Sequence, residues 1–180
     1  MAVAERGQKI EGYDSVIEFV ETTADSDGER VVIEIFYEGT GIMPPTHYHP
    51  NQDEFFEVLE GEVIGVVDGE QIRLGPGDTL SIPAGTAHQM WCEQPTRQRW
   101  TTTPALKTER FFETMWGLQQ DGKTGDGPMP SLPQTALTLR RFSDEFRLSS
   151  PPGPLQDLLT MPLAALGKLA GMNSEYKPES

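Results

Sequence analysis

The chain has 180 residues, which fits one domain of ordinary size with room for an appendage. It carries 28 acidic residues against 14 basic ones, so its formal net charge is −14. Such a surface repels phosphate backbones and anionic lipids, and no cluster of Lys and Arg offsets it. These bulk properties exclude nucleic acid and membrane surfaces as predicted partners.

Cysteine content and the terminal sequence bear on the compartment. The single cysteine, Cys92, excludes an internal disulfide framework. Residues Met1–Arg6 lack the apolar stretch of a signal peptide, and the sequence has no apolar run long enough to span a bilayer. We therefore predict a cytoplasmic location.

The sequence up to Pro104 alternates short apolar-rich segments with turn signals. Residues 1–15 are polar and predict an N-terminal arm or a loosely held first strand. Turns such as Asp68–Gly69 recur about every 8 to 12 residues, which is typical of an all-β sandwich or barrel. The predicted strands are residues 16–21, 30–38, 53–60, 63–67, 71–74, 79–82, 87–93 and 98–103.

The pattern changes to helical spacing after Pro104. Apolar residues at helical intervals predict helices over 108–120, 134–148 and 154–171, and Pro162 is expected to kink or divide the third. The predicted organisation is therefore a β-barrel domain with an N-terminal arm over 1–104. A helical C-terminal extension packed on the barrel follows over 105–180.

The role of the extension is open between three interpretations. An amphipathic helix most often buries its apolar stripe, so a structural cover on the barrel or on a partner subunit is favoured. A lid that opens for substrate is the second interpretation. A membrane-surface helix is the weakest, because the third helix carries only Lys168 and Asp157 as charged residues and lacks a basic polar face.

Two stretches carry the residues that predict chemistry. The first, GIMPPTHYHPNQDEFFEVLEG over 41–61, contains His47, His49 and Glu54. Side chains two apart on a strand share a face, so both imidazoles can reach one ion. The second, GDTLSIPAGTAHQMWC over 77–92, brings His88 from a later strand. Three imidazoles and a carboxylate suit Zn, Fe, Mn, Co, Ni or Cu, and leave open positions on a six-coordinate ion.

The alternative is that these histidines are ordinary core or surface residues. The sequence has only three histidines, and all of them fall in this pattern. We therefore predict one divalent transition metal held by His47, His49, Glu54 and His88, with the identity of the metal left open.

Both stretches resemble the conserved motifs of the cupin superfamily. The first resembles the pattern G-x5-H-x-H-x4-E-x6-G without a gap, and the second resembles G-x5-P-x-G-x2-H-x3-N. Cys92 stands where the second motif often has Asn, a position that is not a ligand in the family. The resemblance covers about residues 30–103 and implies a mainly β fold: a double-stranded β-helix, or jelly-roll barrel, with the C-terminal α-helices added. It also implies a homodimer built through N-terminal strands.

The family hosts many reactions, so fold does not fix function. The intact ligand set resembles that of quercetinase-like dioxygenases, and a metal-dependent oxygenase acting on a small organic molecule is the preferred prediction. A non-redox isomerase or cyclase, and a non-catalytic ligand-binding or sensor module, stay open as alternatives. Glu54 has a second predicted role as the catalytic residue that takes a proton from a bound hydroxyl. The predicted pocket-lining residues are Phe56, Val58, Met90 and Cys92.

Overall fold

Two antiparallel sheets make up the β-rich part of the protein. The computed structural model describes residues 4–176, so residues 1–3 of the predicted arm and 177–180 of the predicted extension lie outside the described residues. The strands are β1 (Lys9–Glu11), β2 (Ser15–Glu21), β3 (Val31–Tyr37), β4 (His47–Tyr48), β5 (Asp53–Glu60), β6 (Val63–Val67), β7 (Glu70–Leu74), β8 (Thr79–Ile82), β9 (His88–Trp91), β10 (Thr96–Thr103) and β11 (Arg147–Leu148). The six-stranded sheet has the order β1-β2-β3-β10-β5-β8, and the five-stranded sheet has the order β11-β4-β9-β6-β7.

The chain passes repeatedly from one sheet to the other. Strand β5 lies in the larger sheet, β6 and β7 in the smaller, β8 in the larger, β9 in the smaller and β10 in the larger. This alternation is the winding of a jelly roll, in which two sheets close over a shared interior. The predicted fold class, a mainly β jelly roll with C-terminal helices, is confirmed.

The interior is filled by side chains that alternate along the strands. On β5, Glu54, Phe56 and Val58 are buried, whereas Asp53 and Phe55 on the other face are exposed. The strand therefore alternates between the interior and the exterior of the barrel, as a half-buried strand does. The largest hydrophobic cluster joins the first three strands to the segment after β10; it contains Ala4, Ile10, Ile17, Phe19, Val31, Ile33, Ile35, Ala105 and Phe112.

Three helices follow the last long strand: α1 (Thr108–Gln120), α2 (Leu132–Arg141) and α3 (Gly153–Leu169). Helix α1 has the predicted bounds. The predicted helix over 134–148 is wrong at its C-terminal end, because α2 stops at Arg141 and residues 147–148 form β11. Strand β11 pairs with β4, with Leu148 opposite His47. Pairing with the open edge of β4 satisfies backbone groups that would otherwise be left free there, and it outweighs the helical spacing of the sequence.

Pro162 lies inside α3, which continues through it from Gly153 to Leu169. Of the two effects expected of Pro162, division of the helix does not occur, and a kink stays a prediction. The missing N–H frees the carbonyl of Leu158, a residue on the exposed side of the helix, where water can bind it. The buried side of α3 packs on α2 through Ala164, Ala136 and Leu137, and this contact holds the helix together.

The predicted division at residue 104 into a barrel domain and a helical extension stays a prediction; the segment after residue 104 contains β11, a strand of the smaller sheet, besides the three helices. Helix α1 lies against β1, and Phe112 of α1 belongs to the main hydrophobic cluster. Over the described residues, no helix is both long and apolar enough to cross a membrane.

Candidate metal centre

Strands β4, β5 and β9 bring the four predicted ligands together. His47 lies on β4 and is the direct cross-strand partner of His88 on β9. His49 follows the end of β4, and Glu54 is the second residue of β5, in the other sheet. The candidate site therefore lies between the two sheets, where the jelly roll closes.

The ligand atoms converge on one point. One ring nitrogen from each of His47, His49 and His88 lies within 4.8 Å of the others. The Glu54 carboxylate joins this group, because its Oε1 lies 3.1 Å from Nε2 of His49 and its Oε2 lies 3.1 Å from Nε2 of His88. The structure thus brings together all four residues that the sequence singled out.

Backbone carbonyl oxygens orient the three imidazoles. The Nδ1 atom of His47 lies 2.9 Å from the carbonyl oxygen of Pro45, and that of His88 lies 3.0 Å from the carbonyl oxygen of Thr86. Nδ1 of His49 lies 2.6 Å from the carbonyl oxygen of Glu145. A carbonyl oxygen can only accept, so each Nδ1 carries the proton and donates it. In a neutral imidazole of this tautomer, Nε2 keeps a lone pair that can bind an ion, the arrangement typical of metal-binding histidines.

Burial sets the charge state of the site. It lowers the pKa of His49 to about 3 and that of His47 to about 4, with the neighbouring imidazoles adding to the shift. Burial also lowers the pKa of His88, but the Glu54 carboxylate outweighs it and holds that pKa above its usual range. Burial raises the pKa of Glu54, against the opposing effect of His88 and Trp100. His47 and His49 are therefore neutral ligands at neutral pH.

The site fits a divalent cation. Both carboxylate oxygens of Glu54 and Nε2 of His49 are buried without a hydrogen-bond partner. A neutral Nε2 and a carboxylate oxygen are both acceptors, so their close approach is unfavourable unless a positive charge lies between them. Three imidazole nitrogens and one carboxylate form a donor set that suits Zn, Fe, Mn, Co, Ni or Cu.

Aromatic rings from the C-terminal extension form one wall of the site. The ring of Phe146 stacks on His47, with centroids 4.6 Å apart and an interplanar angle of 25°. Phe111 of α1 stacks on Phe146, with centroids 5.3 Å apart. The segment around Phe146 is also tied to the turn between His49 and Glu54, since Asn51 donates to the carbonyl oxygen of Asp144 at 3.1 Å.

A small cavity adjoins His49. It measures about 10 Å³ and is lined by His49, Gln52, Trp100, Thr102, Thr108, Phe111, Phe112 and Glu145. Buried polar atoms of Gln52 (Oε1), Glu145 (Oε2) and Trp100 (Nε1) in this group lack a partner. A space of this size and polarity has room for about one water molecule.

The chain matches known families over its β-barrel and beyond. The model of the family described as "Cupin domain" matches residues 33–103. The "Probable oxidoreductase virH" of Hypocrea virens is 30% identical over 196 residues, an alignment that covers 98% of this chain and 86% of that protein. The chain belongs to the cupin superfamily.

The chain is also similar in sequence to a dioxygenase and in fold to a solved structure. Quercetin 2,3-dioxygenase of Bacillus subtilis is 32% identical over 111 residues, which is 61% of this chain and 32% of that protein. KdgF from a Halomonas species has the same fold, with a TM-score of 0.50 at 18% identity, covering 60% of this chain and 96% of that one. The winding of the strands and these similarities agree on a cupin jelly roll.

The four residues predicted to line the pocket lie in the barrel interior of this cupin. Phe56 stacks on Trp100 at 5.4 Å. Val58 and Cys92 are buried together with Val63, and the partly buried Met90 packs against them. Burial raises the pKa of Cys92 to about 11, so this residue is a neutral thiol at physiological pH. The pocket role of the four residues stays a prediction.

Sequence reasoning missed three residues near the site, two outside the motifs and one inside the first motif. Glu145 supplies a carbonyl oxygen to His49, and Phe146 covers His47, but both lie far along the chain in a segment predicted as helix. Gln52 was missed as well. Its Nε2 reaches the carbonyl oxygens of Pro104 and Ala105 and Oγ1 of Thr108, and so joins β5 to the start of α1. Its position between His49 and Glu54 in the first motif could have marked it as a residue near the site.

Proposed function

We propose that this cupin is a metal-dependent oxygenase of the quercetinase-like kind, acting on a small organic molecule that carries an enol or phenol oxygen. His47, His49, Glu54 and His88 would hold one divalent transition metal. The observation that carries the proposal is that both Glu54 oxygens and Nε2 of His49 are buried without a hydrogen-bond partner, beside ring nitrogens of three histidines that lie within 4.8 Å of one another. Such a set is costly to bury in the absence of a cation.

The relatives favour oxidation over the other reactions of the superfamily. The Hypocrea virens relative, which aligns over nearly the whole chain, carries the name of an oxidoreductase, and the Bacillus subtilis relative that of a dioxygenase. A bound metal would polarise the substrate oxygen and activate it toward O₂.

The residues of the chain supply orientation, proton transfer and exclusion of water. The Nδ1–H bonds to carbonyl oxygens keep the three imidazoles in place and direct their Nε2 atoms inward. Glu54 is the proposed proton acceptor for the substrate hydroxyl, because burial raises its pKa and so makes its carboxylate a stronger base. Phe146 and Trp100 restrict water around His47 and His49.

The test is oxygen consumption by purified protein loaded separately with iron, nickel or manganese, against a panel of flavonols and diketones. The expected result is metal-dependent O₂ uptake in step with product formation. Glu54→Gln should retain most of the fold and lose turnover. Phe55→Ala, on the opposite face of the same strand and 43% exposed, is the matched control and should keep full activity.

Two outcomes would replace the proposal. Turnover that continues under strict anaerobiosis would assign a non-redox isomerase or cyclase that uses the metal as a Lewis acid. Saturable binding without product, unchanged in Glu54→Gln, would assign a ligand-binding or sensor module. We also propose a cytoplasmic location for the protein. Fractionation of the native organism's cells tests this location.

A further inference from the structure

Helix α3 has one face that packs within the protein and one that does not. Gln156, Ala164 and Gly167 are buried, and a Cβ added at Gly167 would meet Leu137 of α2 at 2.7 Å. The opposite face exposes five leucines whose relative accessibility runs from 46% to 86%: Leu155, Leu158, Leu159, Leu166 and Leu169. These side chains remain in solvent when the rest of the described chain is folded.

The exposed face has a regular spacing. Pro162 and Ala165 are exposed between the leucines, so the stripe occupies positions 155, 158, 159, 162, 165, 166 and 169. This spacing repeats every seven residues and is the a, d and e pattern of helices that pack on other helices. The pattern is also symmetric about Pro162, since positions 155 and 169, 158 and 166, and 159 and 165 are equidistant from it.

We propose that this face binds a second copy of the same chain, with the two α3 helices antiparallel and a two-fold axis passing at Pro162. A two-fold interface requires a surface that is complementary to itself, and a stripe symmetric about its own centre meets that requirement. Leu155 would then lie against the partner's Leu169, and Leu158 against the partner's Leu166. The proposal concerns assembly and is independent of the proposed oxygenase activity.

Charge restricts where two copies of this protein can meet. Each copy carries a net charge of −14, so most of its surface repels another copy. Helix α3 contains only Asp157 and Lys168 as charged residues, and Asp157 is already paired with Arg147 at 3.5 Å. In the antiparallel arrangement Lys168 falls within one residue of the partner's Asp157, so opposite charges approach at each end.

The area of the face is close to what a specific dimer needs. The five leucines with Pro162 and Ala165 expose on the order of 600 Å² per copy, against about 800 Å² per partner in a standard interface. That is at the upper end of the roughly 300–600 Å² found for the largest apolar patch on a typical monomer.

The first experiment measures the mass of the full-length protein by light scattering and sedimentation across a concentration series. Wild type should be a dimer, and Leu158→Glu or Leu166→Glu should raise its dissociation constant roughly a hundredfold or more, because each substitution places two buried charges in the interface. The matched control is Met43→Glu, at a residue 59% exposed and outside α3, which should dimerise like wild type. Circular dichroism should show that all variants are folded.

The second experiment fixes the register by cross-linking. In a Cys92→Ala background, Pro162→Cys should form an intermolecular disulfide rapidly, since the two helices approach each other most closely at the axis. Met161→Cys, the exposed neighbour on another side of the helix, should cross-link far more slowly.

Three results would overturn the proposal. The first is a wild type that is monomeric throughout the series. The second is a dimer that survives Leu158→Glu, which would place the interface elsewhere, for example at the N-terminal strands. The third is a monomer that cosediments with phosphatidylcholine and phosphatidylglycerol vesicles and loses that binding in Leu158→Glu, which would assign the face to a lipid surface.

Discussion

His49 donates its Nδ1–H to the backbone carbonyl oxygen of Glu145, at 2.6 Å and across 96 positions of sequence. The bond joins a residue of the first cupin motif to the segment between α2 and β11. Glu145 itself is buried, and its Oε1 accepts a hydrogen bond from the backbone N–H of Lys107 at 3.2 Å. The C-terminal extension is therefore in direct contact with the candidate metal site, and changes in either are expected to affect the other.

The ligand set predicts the metal content of purified variants. Wild type should contain close to one divalent transition metal per chain, measured by elemental analysis after reconstitution. His47→Ala, His49→Ala or His88→Ala should each lose most of it, because each removes one donor from a buried set. Gln71→Ala, on an exposed position of β7, is the control and should keep the metal. Absence of metal in the reconstituted wild type would refute the site.

Phe146 is expected to affect the metal without binding it. Phe146→Ala removes the ring stacked on His47 and leaves the hydrogen bond from its Nδ1 to Pro45 as the main restraint on that imidazole. A stacked aromatic pair is worth about 0.5–1.5 kcal/mol, so the metal affinity should fall roughly 2- to 10-fold. A competitive chelator titration measures the change, with Phe55→Ala as the aromatic control on the outer face of β5. Equal affinities in the two variants would contradict the role given to Phe146.

Deletion of residues 105–180 should give an insoluble or poorly folded product, although all four predicted ligands remain. The barrel would lose Phe112 and Ala105 from its main hydrophobic cluster and the contact of Glu145 with His49. Burying one such aromatic side chain contributes roughly 1.5–3 kcal/mol, a large part of the stability of a small domain. A soluble truncated protein with the melting temperature of wild type would show that the extension is a separate module.

The ion pairs of Glu34 should make the free energy of unfolding depend on pH. Burial acts to raise the pKa of Glu34, but Arg97 and Arg99 outweigh it and hold that pKa below its usual range. A carboxylate whose folded pKa is lowered contributes stability above its unfolded pKa of about 4.3 and loses it as pH falls through the folded value. Glu34→Gln should therefore cost about 1–2 kcal/mol at pH 7 and progressively less in acid.

Urea unfolding at several pH values measures this effect. Glu60→Gln is the matched control, because Glu60 also pairs with Arg97, at 3.6 Å, but its side chain is 73% exposed. An exposed pair of this kind contributes little. A Glu34→Gln deficit as large at pH 3 as at pH 7 would rule out the carboxylate as its cause.

Cys92 should be chemically inert in the folded protein. Its side chain is buried and its pKa is raised to about 11 by burial, so the thiolate that reacts with electrophiles is scarce at pH 8. A chromogenic disulfide reagent should modify it only after unfolding in urea. Fast modification of the native protein would mean that the interior around Val58 and Cys92 opens to solvent.

The amino-acid sequence by itself predicted most strands of the barrel and the four residues that meet at the candidate metal site. Both follow from short-range regularities: alternation along β5 places Glu54, Phe56 and Val58 on one face, and the two-residue interval between His47 and His49 places both on one side of the chain. Turn residues between the strands predicted eight of the eleven strands and most of their bounds, whereas the two-residue strands β4 and β11 were not predicted.

Only the tertiary structure decided what lies around the ligands. Arg147–Leu148 has helical spacing in the sequence, yet it pairs with β4, because the open edge of that strand offers unpaired backbone groups. Glu145 and Phe146 reach the site through this pairing. Every residue type has a backbone carbonyl oxygen, so the contact of Glu145 with His49 cannot be predicted from the residue type at position 145. Contacts between segments 96 positions apart have no period that a sequence could display, so they depend on how the sheets and helices pack.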